Sequence, residues 1–314
     1  NAYWMARYME RAENLARILD VNETFARDSK GEQDWLPIVR IFSDEKTFFK
    51  NHDKATAQEV VDFYVADQTN PNSIAYAVWA ARENARSLRH LISIEVWRQL
   101  NVFYNNIKNV RKKDMKLNVL PELCQEIKES CQEHFGIMEG TAYRDQVWFF
   151  YRIGKMVERA DQLTRLVDIK YHTLLPSTID VGSAVDVAQW NALLRSAAAY
   201  HSFRRVHPSG MQVVNVITFL LFDASFPRSL TASTRQLQEL LYCLQGLHGD
   251  RVKPAVAMTD GLERLTRFRR PEDVVAEGLH EYIDRVQLRL LDLSKHLGII
   301  FFGHDADPDV AESP

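Results

Sequence analysis

The sequence predicts an all-α fold, a duplicated helical bundle of two homologous halves about a pseudo-two-fold axis. Three observations predict it. Apolar residues recur at helical spacing along most of the 314-residue chain, and no stretch alternates in the period-two manner of a strand. Glycine and proline are scarce, 12 and 10, while the good helix formers Ala, Leu, Arg and Glu abound. A twelve-residue signature also occurs twice. Glu10-Arg11-Ala12-Glu13-Asn14-Leu15-Ala16-Arg17-Ile18-Leu19-Asp20-Val21 is matched by Glu158-Arg159-Ala160-Asp161-Gln162-Leu163-Thr164-Arg165-Leu166-Val167-Asp168-Ile169.

In the first signature helix Tyr8, Ala12, Leu15 and Leu19 form one stripe. Met156, Ala160, Leu163 and Val167 hold the same register in the second. Further helices are expected at about 35–49, 56–67, 71–99, 119–136, 142–174, 187–205, 210–223, 227–247 and 272–297. The breaks between them fall at Gly31, Pro37, Asn70-Pro71, Pro121, Gly136, Gly140, Pro176, Gly182, Pro208-Ser209-Gly210, Pro227, Gly246, Gly249 and Pro271.

The repeat extends past the signature. Trp35-Leu36-Pro37-Ile38-Val39 has a counterpart in Trp190-Asn191-Ala192-Leu193-Leu194. Phe63-x3-Asp67-x3-Pro71-x-Ser73 has one in Phe219-x3-Asp223-x3-Pro227-x-Ser229. The halves are placed at 1–139 and 140–297, packed as one globular unit. The tail, 298–314, is expected to be disordered, being rich in Asp and Pro from Gly303 onward.

Composition bounds the function. A net charge of -3 gives no field favouring nucleic acid or an anionic membrane. The longest apolar run, Val213 to Phe222, is too short to span a bilayer. Cys124, Cys131 and Cys243 are odd in number and form no CxxC, which reads as free thiols in a reducing cytoplasm. No signal peptide is visible. The chain opens inside a helical pattern without an initiator Met, which implies that residues precede Asn1.

The segments Met9-Glu10-Arg11-Ala12-Glu13 and Val157-Glu158-Arg159-Ala160-Asp161 resemble the Glu-Arg motifs of the bacterial α-E domain family. Ala81-Arg82-Glu83-Asn84-Ala85-Arg86, Glu95-x-Trp97-x3-Asn101, Phe219-Leu220-Leu221 and Phe226-Pro227-Arg228-Ser229 fit the same family. The resemblance covers nearly the whole chain. It implies an all-helical protein of undetermined activity, encoded beside or fused to circularly permuted ATP-grasp proteins and transglutaminase-like proteases. That company implies peptide or amide-bond chemistry.

At 100° per residue, Glu10, Glu13 and Arg17 share the face opposite the apolar stripe, with Asp20 beside them. Glu158, Asp161, Arg165 and Asp168 do the same in the second helix. Three readings stand. The face is solvated and laced by the i,i+4 pairs Glu13–Arg17 and Asp161–Arg165. Or it is a buried lattice in which Glu10 and Glu158 pair with Arg159 and Arg11, or with Arg165 and Arg17, fixing the register of the halves. Or the paired groups line a cleft where carboxylates hold a divalent cation at Glu10/Glu158 and arginines hold an anion.

Arg82, Glu83 and Asn84 sit mid-helix, where Asn is a poor helix former. Their counterparts are Gln238, Glu239 and Leu240, so a site using them is asymmetric about a symmetric centre. At the Phe-Asp-Pro-Ser corners, Asp67 and Asp223 are expected to meet the N–H groups of the next helix or an Arg. Arg228 is the corner residue most available to a ligand. The basic run Lys108–Lys116 reads as a solvated loop.

No zinc spacing, Walker loop, nucleophile elbow or dinucleotide fingerprint is present, and no cofactor is evident. The lone Glu277-x-x-His280 falls short of the two such motifs a di-iron bundle needs. An accessory module working with an ATP-grasp ligase or transglutaminase-like protease is the favoured function. A carboxylate–guanidinium enzyme or ligand-binding protein and a purely structural scaffold are the alternatives. The sequence is silent on oligomeric state.

Overall fold

The computed structural model describes residues 1–28, 34–174, 184–208, 210–267, 273–274 and 277–303; among these all regular structure is helical. The α-helices run α1 (Ala2–Asp28), α2 (Leu36–Ile41), α3 (Glu45–Phe48), α4 (Ala57–Val65), α5 (Ile74–Ser87), α6 (Ile94–Lys108) and α7 (Leu120–Thr141). They continue as α8 (Gln146–Leu174), α9 (Ala184–Ser196), α10 (Tyr200–Val206), α11 (Val213–Phe222), α12 (Leu230–His248), α13 (Lys253–Arg267) and α14 (Leu279–Leu297).

The signature helices α1 and α8 lie against each other at the centre, with α5, α7 and α9 on α1 and with α12 and α14 on α8. Small residues set their crossing. A side chain at Gly154 would collide with the Tyr3 carbonyl oxygen, so the two backbones touch there. Being covered on several sides, α1 buries its polar face as well as its apolar stripe: Leu15 and Leu19 are fully buried, and so is Glu10. A solvated polar face is thereby excluded at Glu10 and Glu13 of α1.

Matching local structures recur along the chain. Helices α5 and α12 start on the N-cap serines Ser73 and Ser229, which accept from the Tyr76 and Ala232 amides. The same two hydroxyls donate back to the Asp67 and Asp223 carbonyls at 2.5 and 2.6 Å. The Asp67 and Asp223 side chains do not cap the next helix. Each closes a turn inside its corner by accepting the amide two residues on, Thr69 or Ser225.

After α2 and α9 the chain turns through left-handed Ser43 (φ 58°) and Ala198 (φ 55°). The following amides, Asp44 and Ala199, donate to the Val39 and Leu194 carbonyls. Beyond those turns, Phe48 stacks on His52 and meets Phe63 edge-on, as Phe203 contacts His207 and meets Phe219. Trp35 and Trp190 are both buried.

Several sequence expectations need correction. The long helix at 71–99 is two helices, broken where Ser93 caps α6. The stretches 35–49 and 187–205 are likewise split at their left-handed residues. Helix α7 runs through Gly136 and Gly140 to Thr141, because neither glycine is asked for an unusual backbone. Helix α13 was not expected at all. The tail is ordered at its start, where Gly298–Phe302 forms a π-helical turn that lays Phe302 on Tyr3 and Phe301 on Phe150. The rest of the expected disordered tail, 304–314, lies outside the described residues, as do the breaks at Gly31, Pro176, Gly182, Ser209 and Pro271.

Candidate functional site

At the α1–α8 contact each signature glutamate crosses to the other helix. Arg11 donates through Nε to Glu158 Oε1 (2.8 Å) and through Nη2 to Oε2 (3.3 Å). Arg159 donates through Nε and Nη2 to Glu10, at 2.8 and 2.9 Å. These are two-pronged pairs, the strongest geometry open to a guanidinium and a carboxylate. Each arginine also reaches the next corner, Arg11 to the Pro71 carbonyl and Arg159 to the Pro227 carbonyl. The cross-lock thus ties both helices to both corners.

Neither glutamate is open to solvent. Glu10 is 0% exposed and Glu158 1%. Burial alone would push both carboxyls up. For Glu10 the Arg159 and Arg228 guanidiniums outweigh it, and for Glu158 Arg11 and Arg7 do, holding each at about 2. Both are anions across the physiological range. Their oxygens are taken by guanidinium donors, so a divalent cation at Glu10 or Glu158 would have to displace those arginines. The donor set does not fit a cation.

Of the other sequence candidates, Arg17 and Arg165 make their ion pairs, among the described residues, within their own helices, to Glu13 (2.6 Å) and Asp161 (2.9 Å). Neither crosses to the opposite glutamate. Arg228 does join the centre, donating to Glu10 (3.0 Å), Glu13 and the Asn14 side-chain oxygen Oδ1 (2.5 Å). Arg82, Glu83 and Asn84 stand apart. Arg82 donates to Asn101 and Glu83 and lies over the rings of Trp97 and Tyr104, while Asn84 donates back to the Ala80 carbonyl. Among the described residues that patch shares no ion pair with the Glu-Arg centre.

Two residues escaped the sequence reading. Arg7 donates to Glu158 Oε2 at 2.7 Å and rests over Tyr3 and Trp4. Its counterpart Lys155 lies over the Phe135 ring at 3.5 Å, near Glu10. Burial lowers that ammonium to about 8, against the pull of Glu10. The signal was present, since each is a cation one helical turn before a motif arginine. They make the centre itself asymmetric, where symmetry was expected.

A groove of about 360 Å³ runs between α8 and α14 beside this centre, lined by Arg7, Asp161, Arg165, Asp284 and Gln287 among others. Near it, His280 bonds through Nδ1 to Asp168 (2.8 Å) and approaches Asp284, while Glu277 pairs with Arg285. These three, Asp168, His280 and Asp284, are the group among the described residues whose donor atoms converge as metal ligands would. They do not include either motif glutamate.

Residues 1–302 match the Alpha-E family, described as a predicted alpha-helical domain with a conserved ER motif. The chain belongs to that family. Glu10-Arg11 and Glu158-Arg159, the two Glu-Arg pairs whose resemblance pointed to this family, are the two ends of the buried cross-lock. This Alpha-E chain is 26% identical over 302 residues to uncharacterized proteins of Mycobacterium bovis and of two Mycobacterium tuberculosis strains. The match covers 88% of the chain but 33% of each relative, so the chain spans about a third of the length of the curated relatives it matches. No solved structure matches it. Among the described residues, no helix is long and apolar enough to cross a membrane.

Proposed function

We propose that this Alpha-E chain is an accessory or interaction module, acting in the cytoplasm with an ATP-grasp ligase or a transglutaminase-like protease in peptide or amide-bond metabolism. The observation that carries this is the sealing of the motif glutamates: a general base or metal ligand must meet its substrate, and among the described residues Glu10 and Glu158 hydrogen-bond only to arginines and the Gln162 amide. The motif then holds a framework together instead of carrying out a reaction. A further support is that the chain aligns with one third of longer relatives, as a module would. The α5–α6 turn offers exposed apolar contact through Leu91 and Ile94. The class of partner rests on the company that the family resemblance implies.

We infer as well that the framework is a duplication, 1–139 and 140–297, about a pseudo-two-fold axis between α1 and α8. The reciprocal Arg11–Glu158 and Arg159–Glu10 pairs support this, as do the paired turns at Ser43 and Ala198. The test of function is co-purification with the ATP-grasp and transglutaminase-like proteins of the same genome, followed by a reconstituted ligase assay. Retention with stimulation is the expected result. A chain that elutes alone and leaves ligase turnover unchanged overturns the reading.

A further inference from the structure

The two signatures end on the same acid and treat it differently. Asp20 of α1 is met by the Lys128 ammonium of α7 at 2.7 Å. Asp168 of α8 is met by an imidazole of α14, His280, whose Nδ1 lies 2.8 Å from Oδ1 of the aspartate. One turn further along α14, Asp284 approaches the other ring nitrogen, Nε2, at 3.5 Å. The first half thus closes its acid with a lysine. The second half surrounds one imidazole with two carboxylates, and Glu281 adds a third negative charge acting on the ring. Glu277, the acid of the Glu-x-x-His spacing, pairs with Arg285 at 2.8 Å and does not belong to this group.

One donor atom from each of Asp168, His280 and Asp284 lies within 4.8 Å of the other two. A tetrahedral ion with bonds of about 2.1 Å holds its donors about 3.4 Å apart, so the group has roughly 1 Å to close. The Asp284 and His280 side chains are 53% and 43% exposed, which leaves both free to make that movement and open to an entering ion. Asp168, at 15%, is the anchor. Two carboxylates and an imidazole suit a first-row divalent ion, whereas calcium and magnesium take oxygen ligands. Asp284 also lines the groove between α8 and α14, so the remaining coordination positions open toward it and fall to water.

We propose that Asp168, His280 and Asp284 form a site for one divalent metal ion of the zinc class, clamping the end of the second signature to α14. The two aspartates supply oxygen ligands and His280 one ring nitrogen. The ion does for Asp168 what Lys128 does for Asp20, bringing a cation to the end of the signature and tying it to a neighbouring helix. The site exists in one half only, because the lysine ammonium that meets Asp20 is a cation and not a ligand.

The test uses the full chain, freed of metal by chelation, with Zn2+ as the probe. Calorimetric titration should give one saturable site per chain, and Zn2+ should raise Tm until that site is full. His280→Gln and Asp284→Asn should each weaken the site at least about tenfold, since even the residues behind metal ligands contribute that much. A crystal soaked in Zn2+ should show an anomalous peak in contact with all three side chains. Zinc bound with undiminished affinity by either folded variant overturns the proposal. So does the lack of any saturable binding, or a peak that does not touch all three residues. Should a variant fail to fold, the wild-type crystal still decides.

Discussion

The Glu158 side and the Glu10 side of the cross-lock are built from the same motif yet sit in different surroundings. Arg11 and Arg159 make the same bidentate pair and reach the same kind of corner carbonyl. Around them Arg7 stands against Lys155, Asn72 against Arg228, and Asp44 against Ala199. Asp44 is itself held by the Tyr64 hydroxyl and the Asn72 amide. The motif therefore fixes how the helices meet, while flanking positions decide how the buried charge is balanced.

The helix crossing offers the hardest way to break this comparison. Gly154 and Ala6 occupy matching positions, and at Gly154 an added Cβ would meet backbone, the Tyr3 carbonyl. Backbone cannot swing aside as a side chain does. Gly154→Ala is expected to cost about 4 kcal/mol or abolish folding. Ala6→Gly should cost only about 1 kcal/mol, the helix-propensity penalty. Urea denaturation of the two variants measures the contrast, and equal effects would refute the tight crossing.

Next comes removal of each glutamate's charge. Glu10→Gln leaves Arg159 and Arg228 facing a neutral amide in a region already rich in cations, and should cost roughly 3–5 kcal/mol. Glu158→Gln leaves Arg7 and Arg11 with Asp161 and Asp44 still near, and should cost less. The reverse order would mean that the flanking carboxylates contribute nothing to the balance.

The physical reason for these asymmetries also explains what could be read in advance. The all-α class and the signature register were legible because helical periodicity and the recurrence at Glu158-Arg159 record them directly, whereas the crossed Glu–Arg pairing was one of three readings the same residues allowed. The breaks inside 71–99 and 187–205 were not, since the left-handed turn at Ala198 carries no glycine to announce it. Helix α13 was missed although Leu262 and Val256 are buried on its apolar face. Burial of Glu10 stood only as one of three readings, because amphipathic patterning assumes that one face meets water and α1 is surrounded. Arg228 was picked out as a corner residue, but its role depends on α1 lying across that corner.

Acid should dissolve the two sides together. Glu10, Glu13 and Glu158 have folded pKa values below the ordinary 4.5, so their contribution is present above that value and is lost as pH falls toward 2. His134, buried without a hydrogen-bond partner and lowered by burial to about 3, adds a loss that begins below 6.5. Asp44, raised by burial, opposes them slightly. Stability by chemical denaturation should therefore decline from pH 6.5 and steepen below 4.5. In Glu10→Gln the steep limb should be shallower, and an unchanged limb would show that Glu10 is not the titrating group.

The smallest contrast lies at the far ends of the signatures. Asp20 is tied to α7 by Lys128 at 2.7 Å, and Asp168 to α14 by His280 at 2.8 Å. One tie uses a lysine ammonium and the other an imidazole. The Asp168 hydrogen bond is the main cause raising the His280 pKa above 6.5, against slight burial, so its stabilisation is whole below 6.5 and fades as pH rises through the folded value. His280 is 43% exposed, and solvent screening holds its share to a few tenths of a kcal/mol. Lys128 is 12% exposed, and Lys128→Met should cost about 1 kcal/mol equally at pH 6 and pH 8. His280→Gln should be measurable at pH 6 and near silent at pH 8. A pH-independent loss in both variants would mean that packing, not charge, makes the tie between Asp168 and α14.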